Sequence, residues 1–399
     1  MTPTPKHFVG FSELGLSPEI LAILEQLHYK IPTPIQHQAI PAGLNGKDVI
    51  GIAQTGTGKT LAFGLPLVQR LRGMDEGGAL ILLPTRELAQ QVDEVMQKIG
   101  RPLGMKTAVL IGGESMYHQI AALNRGPRIV MATPGRLLDH LEQQTIRLDG
   151  VKILVLDEAD RMLDMGFAPQ INRILQVVPK ERQTLLFSAT MPTAIVHIAA
   201  THMKLPVRLE VAPSGTAPEE VEQEIIVVPK ESKKALLEAV LKERTGTALV
   251  FCRTKNGAQK MCRALQQSGF SSAEIHANRS QSQRKEALDG FKKGRYRVLV
   301  ATDIAARGID VKNIEQVINF DLPDNSEDYV HRIGRTGRAG SRGKAVSFAT
   351  PDQGSDIRAI ERLMKKTLKV VTSHLSVPLH KTHSTGPRTR SFRPRRGRR

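Results

Sequence analysis

The chain has 399 residues, of which 40% are hydrophobic; this is too long for one ordinary domain and apolar enough for real cores, so two compact domains and a tail are expected. A formal net charge of +18 and a pI near 10.0 call for a polyanionic partner, and nucleic acid comes before membrane because no apolar run reaches about 18 residues and the N-terminus lacks a signal-peptide core. The two cysteines, Cys252 and Cys262, have no zinc-ligand spacing and fit a reduced, cytoplasmic compartment.

In chain order, the first informative stretch is Tyr29 to Gln36. A glutamine carboxamide both donates and accepts, so Gln36 can pair with N6 and N7 of adenine, and Tyr29 can stack on the ring. The β-prone run Val49 to Ile52 then leads into Ala53-Gln54-Thr55-Gly56-Thr57-Gly58-Lys59-Thr60, with helical residues from Leu61 onward. A strand, a glycine turn and a helix N-terminus in this order predict a phosphate cradle. Lys59 would reach the β/γ-phosphates and the Thr60 hydroxyl would hold Mg²⁺, although Ala53 stands where the strict pattern has glycine.

Ala79 to Leu83, Ile129 to Met131, Val151 to Leu156, Thr184 to Phe187, Ala248 to Phe251, Val298 to Val300 and Gln316 to Asn319 read as further strands. Their alternation with amphipathic segments predicts α/β domains with parallel sheets. Turns after strands at Pro84-Thr85-Arg86, Gly112-Gly113 and Thr133-Pro134-Gly135-Arg136 offer N–H groups, hydroxyls and arginines suited to a sugar-phosphate backbone. Asp157 and Glu158, at the end of the buried run Val151 to Leu156, can orient Mg²⁺ and position or deprotonate an attacking water. Val211 to Glu220 is the best linker, dividing the chain into 1–210, 211–220, 221–371 and a tail at 372–399. His331 to Arg338 places three arginines among glycines. This suits a solvated basic loop or, opposite a triphosphate, arginine fingers.

The acidic letters Asp157-Glu158-Ala159-Asp160, with the cradle before them, resemble the DEAD-box RNA helicases, and the likeness runs from Phe11 to about Phe348. The resemblance implies two tandem RecA-like domains, ATP and Mg²⁺ as ligands, and RNA-stimulated ATP hydrolysis. It makes Phe11 the upstream aromatic of the adenine motif, in which His28 replaces a usual glycine, and it assigns the finger role to Arg335 and Arg338. It also places Asp310 at the ribose, Thr302, Arg253, Gln281 and Arg284 on RNA, and Asp160, Ser188, Thr190 and His331 in a network coupling hydrolysis to strand separation. Taken alone, Gln281 and Arg284 would pass as surface polar residues.

Eight of the positive charges lie from Lys381 onward, leaving +10 for the rest, so the body is basic without its tail. The tail, poor in apolar residues, is expected to be a disordered polycation that captures RNA. A compact core with a short basic tail looks most like the bacterial RhlE-type subgroup. The reading is a monomeric ATP-dependent RNA helicase acting on RNA duplexes, with ribosomal precursors or the RNA-decay machinery as settings. An ATP-gated RNA clamp or annealing scaffold is the alternative, and a DNA helicase is disfavoured by the resemblance alone.

Overall fold

The structure, a computed structural model, describes residues 10–54, 56–211, 221–306, 314–337 and 343–372. The predicted linker from residue 212 to 220, the tail from residue 373, and Thr55, Asp310 and Arg338 lie outside the described residues.

The short apolar runs form two sheets of seven described strands. The first holds β1 (Val49–Ile52), β2 (Gly78–Leu82), β3 (Thr107–Leu110), β4 (Ile129–Ala132), β5 (Val151–Leu156), β6 (Gln183–Ser188) and β7 (Val207–Glu210). The second holds β8 (Val221–Val227), β9 (Ala248–Phe251), β10 (Ser272–Ile275), β11 (Val298–Ala301), β12 (Gln316–Asn319), β13 (Gly343–Ala349) and β14 (Lys369–Thr372). All described pairings are parallel. Parallel strands need crossovers, which the intervening helices supply while burying both sheet faces.

The strand orders are β3-β4-β2-β5-β6-β1-β7 and β10-β11-β9-β12-β13-β8-β14. Adding seven to each number of the first gives the second, so both lobes are wound alike. This is the expected pair of RecA-like α/β domains. The lobe limits extend slightly past those read from sequence: the Val211 N–H donates to the Ile52 carbonyl at 3.2 Å, and Thr372 pairs with Val227.

Winding of this kind sends the turn after each strand to one edge of its sheet. The cradle follows β1, the acidic residues follow β5 and Ser188 closes β6, so three separate stretches of chain meet. Asp48 fixes the opposite end of the same strands. One oxygen of its buried carboxylate accepts from the Thr184 N–H at 2.7 Å and the other from the Lys204 N–H at 2.6 Å, and its carbonyl accepts from the Val207 N–H at 2.8 Å. No helix among the described residues is long and apolar enough to cross a membrane.

Replacing Asp48 with alanine strips the acceptor from two N–H groups, at a cost of about 1–3 kcal/mol for each one left buried without a partner. Urea unfolding of Asp48→Ala should show a loss of that order. A loss below about 0.5 kcal/mol, ordinary for a surface change, would show that Asp48 does not anchor β1.

Candidate functional site

β1 delivers the chain into the cradle, and the Ala53 N–H donates to the Ser188 carbonyl at 2.9 Å. Ala53 has no positive φ, so glycine is not required there. Gly58 is left-handed, with φ 89°, and a Cβ on it would lie 2.4 Å from Gln36 Nε2. Only glycine meets both demands. The helix Lys59–Arg72 starts at once, Thr60 is half-buried at its first turn, and Thr57 Oγ1 donates back to the Gln54 carbonyl at 2.7 Å. Lys59 is only 6% exposed, and its ammonium has no hydrogen-bond partner among the described residues.

Two carboxylates share this buried space. Burial raises the Asp157 carboxyl to about 6 against the pull of Lys59. Burial also pushes Glu158 up, but Arg161, Lys59 and Arg335 more than reverse this and hold it at about 2. Glu158 pairs directly with Arg161 and sits at φ 50°, ψ 51°, an uncommon backbone state for a residue with a side chain.

Asp160 gathers the next turn. Its Oδ2 accepts from the Ala189 N–H (3.0 Å), the Thr190 N–H (2.8 Å) and the Thr190 hydroxyl (2.9 Å), and its N–H donates to Ser188 Oγ at 3.2 Å. From the second lobe, His331 and Arg335 line the same small cavity as Lys59, Glu158, Asp160, Arg161 and Ala189. Burial lowers the His331 pKa although Asp160 opposes it, which leaves a neutral imidazole at neutral pH.

Above the cradle, Gln36 uses both ends of its amide. Nε2 donates to the Gly58 carbonyl at 3.0 Å and Oε1 accepts from the Thr33 N–H at 2.9 Å. Tyr29 is 42% exposed, whereas Phe11 is 5% exposed and belongs to the core. His28 adopts φ 60°, which explains why glycine is usual at this position and why histidine, one of the better-tolerated side chains there, can replace it.

The remaining turns form a basic face across both lobes. Thr85 caps the helix Arg86–Gly100 by accepting from the Leu88 N–H, with Pro84 buried ahead of it. Arg86 lies so close over Gly112 and Gly113 that a Cβ on Gly113 would overlap its guanidinium. Arg86 Nη1 also reaches Gln281 Oε1 of the second lobe at 3.5 Å, and Arg284 pairs with Glu87 at 2.6 Å. Burial, followed by the charge of Arg284, lowers the Arg86 pKa. Two guanidiniums held together in this way favour an anion between them. Thr133, Pro134, Gly135 and Arg136 open the helix Pro134–Glu142, with Gly135 in open space and Arg136 donating to the Glu114 carbonyl at 3.0 Å.

Other predicted residues stand differently. Arg253 is engaged by its own lobe, through Asp324 at 3.3 Å and the Leu322 carbonyl at 3.3 Å. Thr302 directly follows β11, its N–H donating to the Ile275 carbonyl at 3.3 Å. Arg332, the first arginine of the glycine-rich run, is 2% exposed, forks onto Asp303 at 2.5 and 2.6 Å, and lies 4.9 Å over the Phe251 ring. It anchors the helix that presents Arg335. Glu87 and Arg161 were not singled out by sequence reasoning; the i,i+3 spacing of Glu158 and Arg161 was the available signal.

The donor set fits the predicted ligands. Lys59 offers a buried cation, Gly58 a close backbone approach, and Thr60 with Asp157 hard oxygens suited to Mg²⁺. Among the described residues no three His, Cys, Asp or Glu side chains form a metal cage, and a Mg²⁺ shared with substrate phosphates needs none.

A DEAD/DEAH box helicase family profile matches residues 33–198, and a helicase conserved C-terminal domain profile matches residues 231–340. The DEAD-box ATP-dependent RNA helicase CshA of Bacillus subtilis (strain 168) is 44% identical over 362 residues, covering 90% of this chain and 73% of that protein. The chain belongs to the DEAD-box ATP-dependent RNA helicase family. It is an RNA-stimulated ATPase that binds nucleotide and RNA. CshA of Listeria monocytogenes is also 44% identical, over 90% of this chain and 69% of its own length. Among solved structures, S. cerevisiae Dbp5 bound to RNA and ADP BeF3 superposes with a TM-score of 0.82 at 31% identity, covering 91% of this chain and 95% of that one. Mss116p bound to ssRNA and AMP-PNP gives 0.86 at 30% identity, covering 94% and 81%. The RhlE-type subgroup expected from the short basic tail is not supported, since these named bacterial relatives are CshA proteins. A charged tail is a compositional feature and specifies no subgroup by itself.

Asp157 supplies a pH test of this DEAD-box site. Its folded pKa of about 6 lies above the ordinary 3.8, so between these values the folded state holds a proton that the unfolded state has released, and stability falls as pH rises. Asp157→Asn removes that fall. In metal-free buffer the variant should gain more heat stability over wild type at pH 7.5 than at pH 4, while losing Mg²⁺-dependent ATPase activity. An equal difference at both pH values would refute the raised pKa.

Proposed function

We propose that this helicase hydrolyses ATP rapidly only when both lobes close on one nucleotide, that RNA drives this closure, and that the slow RNA-free turnover draws little on the closed state. The observation behind it is the single buried cluster that holds Lys59, Glu158 and Asp160 of the first lobe beside His331 and Arg335 of the second. Mg²⁺, when bound through Asp157 and Thr60, neutralises phosphate charge. Lys59 binds the β/γ-phosphates, and Arg335 adds positive charge on the far side where the γ-phosphate develops charge. Glu158, held ionised by Arg161 beside it, orients the attacking water or accepts its proton.

Gln36 can read adenine without releasing the cradle. Its amide nitrogen has a second N–H and its oxygen a second lone pair, so N7 and N6 can be bound while Gly58 and Thr33 stay attached. Arg86, Arg136, Gln281 and Arg284, with the N–H groups of Gly112 and Gly113, contact the RNA backbone and not base edges, giving sequence-independent binding. Closing the lobes brings these groups together and bends one strand away from its partner. Arg338 and Asp310 keep their proposed finger and ribose roles. We extend the reading to a cytoplasmic, monomeric enzyme acting on structured RNAs such as ribosomal precursors or decay substrates; sequencing RNA crosslinked in cells would show whether such RNAs are bound.

Lys59→Ala should weaken ATP binding, whereas Glu158→Gln should keep ATP affinity, stall turnover and prolong RNA residence. Equal loss of nucleotide affinity in both variants would contradict these roles. Arg335→Ala should lower RNA-stimulated turnover by a factor on the order of 10³ and leave RNA-free hydrolysis much less affected. A preserved ratio of stimulated to basal turnover would remove the cross-lobe trigger. Strand release measured on a duplex alongside ATPase separates unwinding from an ATP-gated clamp, which would bind RNA without releasing a strand.

A further inference from the structure

The pair Gly112-Gly113 has no side chains with which to fix itself, yet its backbone must meet RNA phosphates at a set distance from the Thr133 to Arg136 turn. Two arginines hold the exposed side of the loop: Arg86 lies over Gly113, and Arg136 donates to the Glu114 carbonyl at 3.0 Å. Both belong to the proposed RNA face, so bound phosphate competes for them. The loop needs a brace that RNA does not claim.

Beneath it lies a buried polar chain. Gln119, on the helix Met116–Leu123, donates from Nε2 to the Ile111 carbonyl at 2.8 Å, directly before the glycine pair. Gln119 Oε1 lies 3.0 Å from His140 Nε2, and His140 Nδ1 lies 2.7 Å from Thr145 Oγ1. His140 sits in the last turn of the helix that begins directly after Thr133, and it is fully buried. The Ile111 carbonyl can only accept, so it fixes the amide with its oxygen toward His140. That places the ring proton on Nε2 and leaves Nδ1 as an acceptor 2.7 Å from the Thr145 hydroxyl, whose one proton also lies within reach of the His140 carbonyl at 3.1 Å. Burial, aided by Arg136, lowers the His140 pKa and keeps the ring in this neutral form.

We infer that Gln119 and His140 are positioning residues, which lock the Gly112-Gly113 loop to the Thr133–Arg136 turn so that two backbone contacts engage RNA as one unit. The inference rests on the proposed RNA role of this face. An apolar pair could fill the same volume but could not dictate where the Ile111 carbonyl points.

Two variants test it in the full-length enzyme. Gln119→Glu keeps an acceptor for His140 and replaces the donor to Ile111 with an oxygen; Gln119→Met keeps the bulk and removes both bonds. In steady-state ATPase assays with a poly(U) oligomer, the RNA KM should rise about tenfold for either, as expected for loss of the bond to the Ile111 carbonyl that both variants share. The kcat at saturating RNA and the ATP KM without RNA should stay within about twofold. An unchanged RNA KM in either folded variant, or a kcat that falls with the thermal midpoint, overturns the positioning role. Arg136→Ala, measured beside them, separates the two failures. If it raises the RNA KM and the Gln119 variants do not, only the positioning idea falls; if it leaves the RNA KM unchanged, the RNA assignment of this face falls and the inference goes with it.

Discussion

The structure turns on the burial of the Lys59 ammonium beside two carboxylates without a hydrogen bond to either. Placing a charge in a dry site costs several kcal/mol unless it is paired and hydrogen-bonded. Arg161 and Arg335 bring further positive charge to the same space, where Arg161 pairs directly with Glu158. A triphosphate brings the missing negative charge and many acceptor oxygens to a helix N-terminus built to receive them. Bringing the second lobe in without it adds like charge to a desolvated site. On the proposed mechanism, closure is thereby linked to the nucleotide by electrostatics, and RNA that favours closure must by reciprocity favour nucleotide binding.

That linkage needs a rigid reporter, which Asp160 provides. Its carboxylate ties the turn after β5 to the turn after β6 through three hydrogen bonds to Ala189 and Thr190. Ser188, at the root of the latter turn, receives the Asp160 N–H on its hydroxyl and the Ala53 N–H on its carbonyl. The cradle, the acidic turn and the Ser188 to Thr190 turn are therefore one mechanical body. His331 faces that body from the other lobe as a neutral ring.

Much of this was legible in the sequence because the chemistry requires particular residue types in local order. The strands that carry the cradle and the acidic turn were plain apolar runs and occur where expected. β3, β7, β8, β10, β13 and β14 were not among the strands read; β7, Val-Arg-Leu-Glu, is largely exposed at a sheet edge, and β8 begins with the polar run Val-Glu-Gln-Glu. At the site, Gln36, Lys59 and Asp157 could be read from their own chemistry. The partner of Arg284 could not, because Glu87 lies on the other lobe. Nor did spacing alone distinguish Arg332, a core anchor, from Arg335, a cleft residue; both are almost fully buried, and what separates them is that Arg332 pairs with Asp303 while Arg335 lines the cavity with Lys59 and Glu158.

The identical winding of the two sheets leads to one last point. Lys233 is the first residue of the helix after β8, as Lys59 is of the helix after β1, and Asp321 lies just beyond β12 as Asp157 does beyond β5. In the second lobe, however, the Lys233 ammonium is already satisfied by the Phe320 carbonyl at 3.1 Å, with Asp321 at 3.7 Å. The turn leading to it, Val228 to Ser232, contains no glycine that would open the backbone to an anion. The same lysine and aspartate are thus set for a guest in one half and closed on the host in the other. Two copies of one frame thus differ in a single respect: the first keeps its lysine turned toward an anion, and the second spends it on its own backbone.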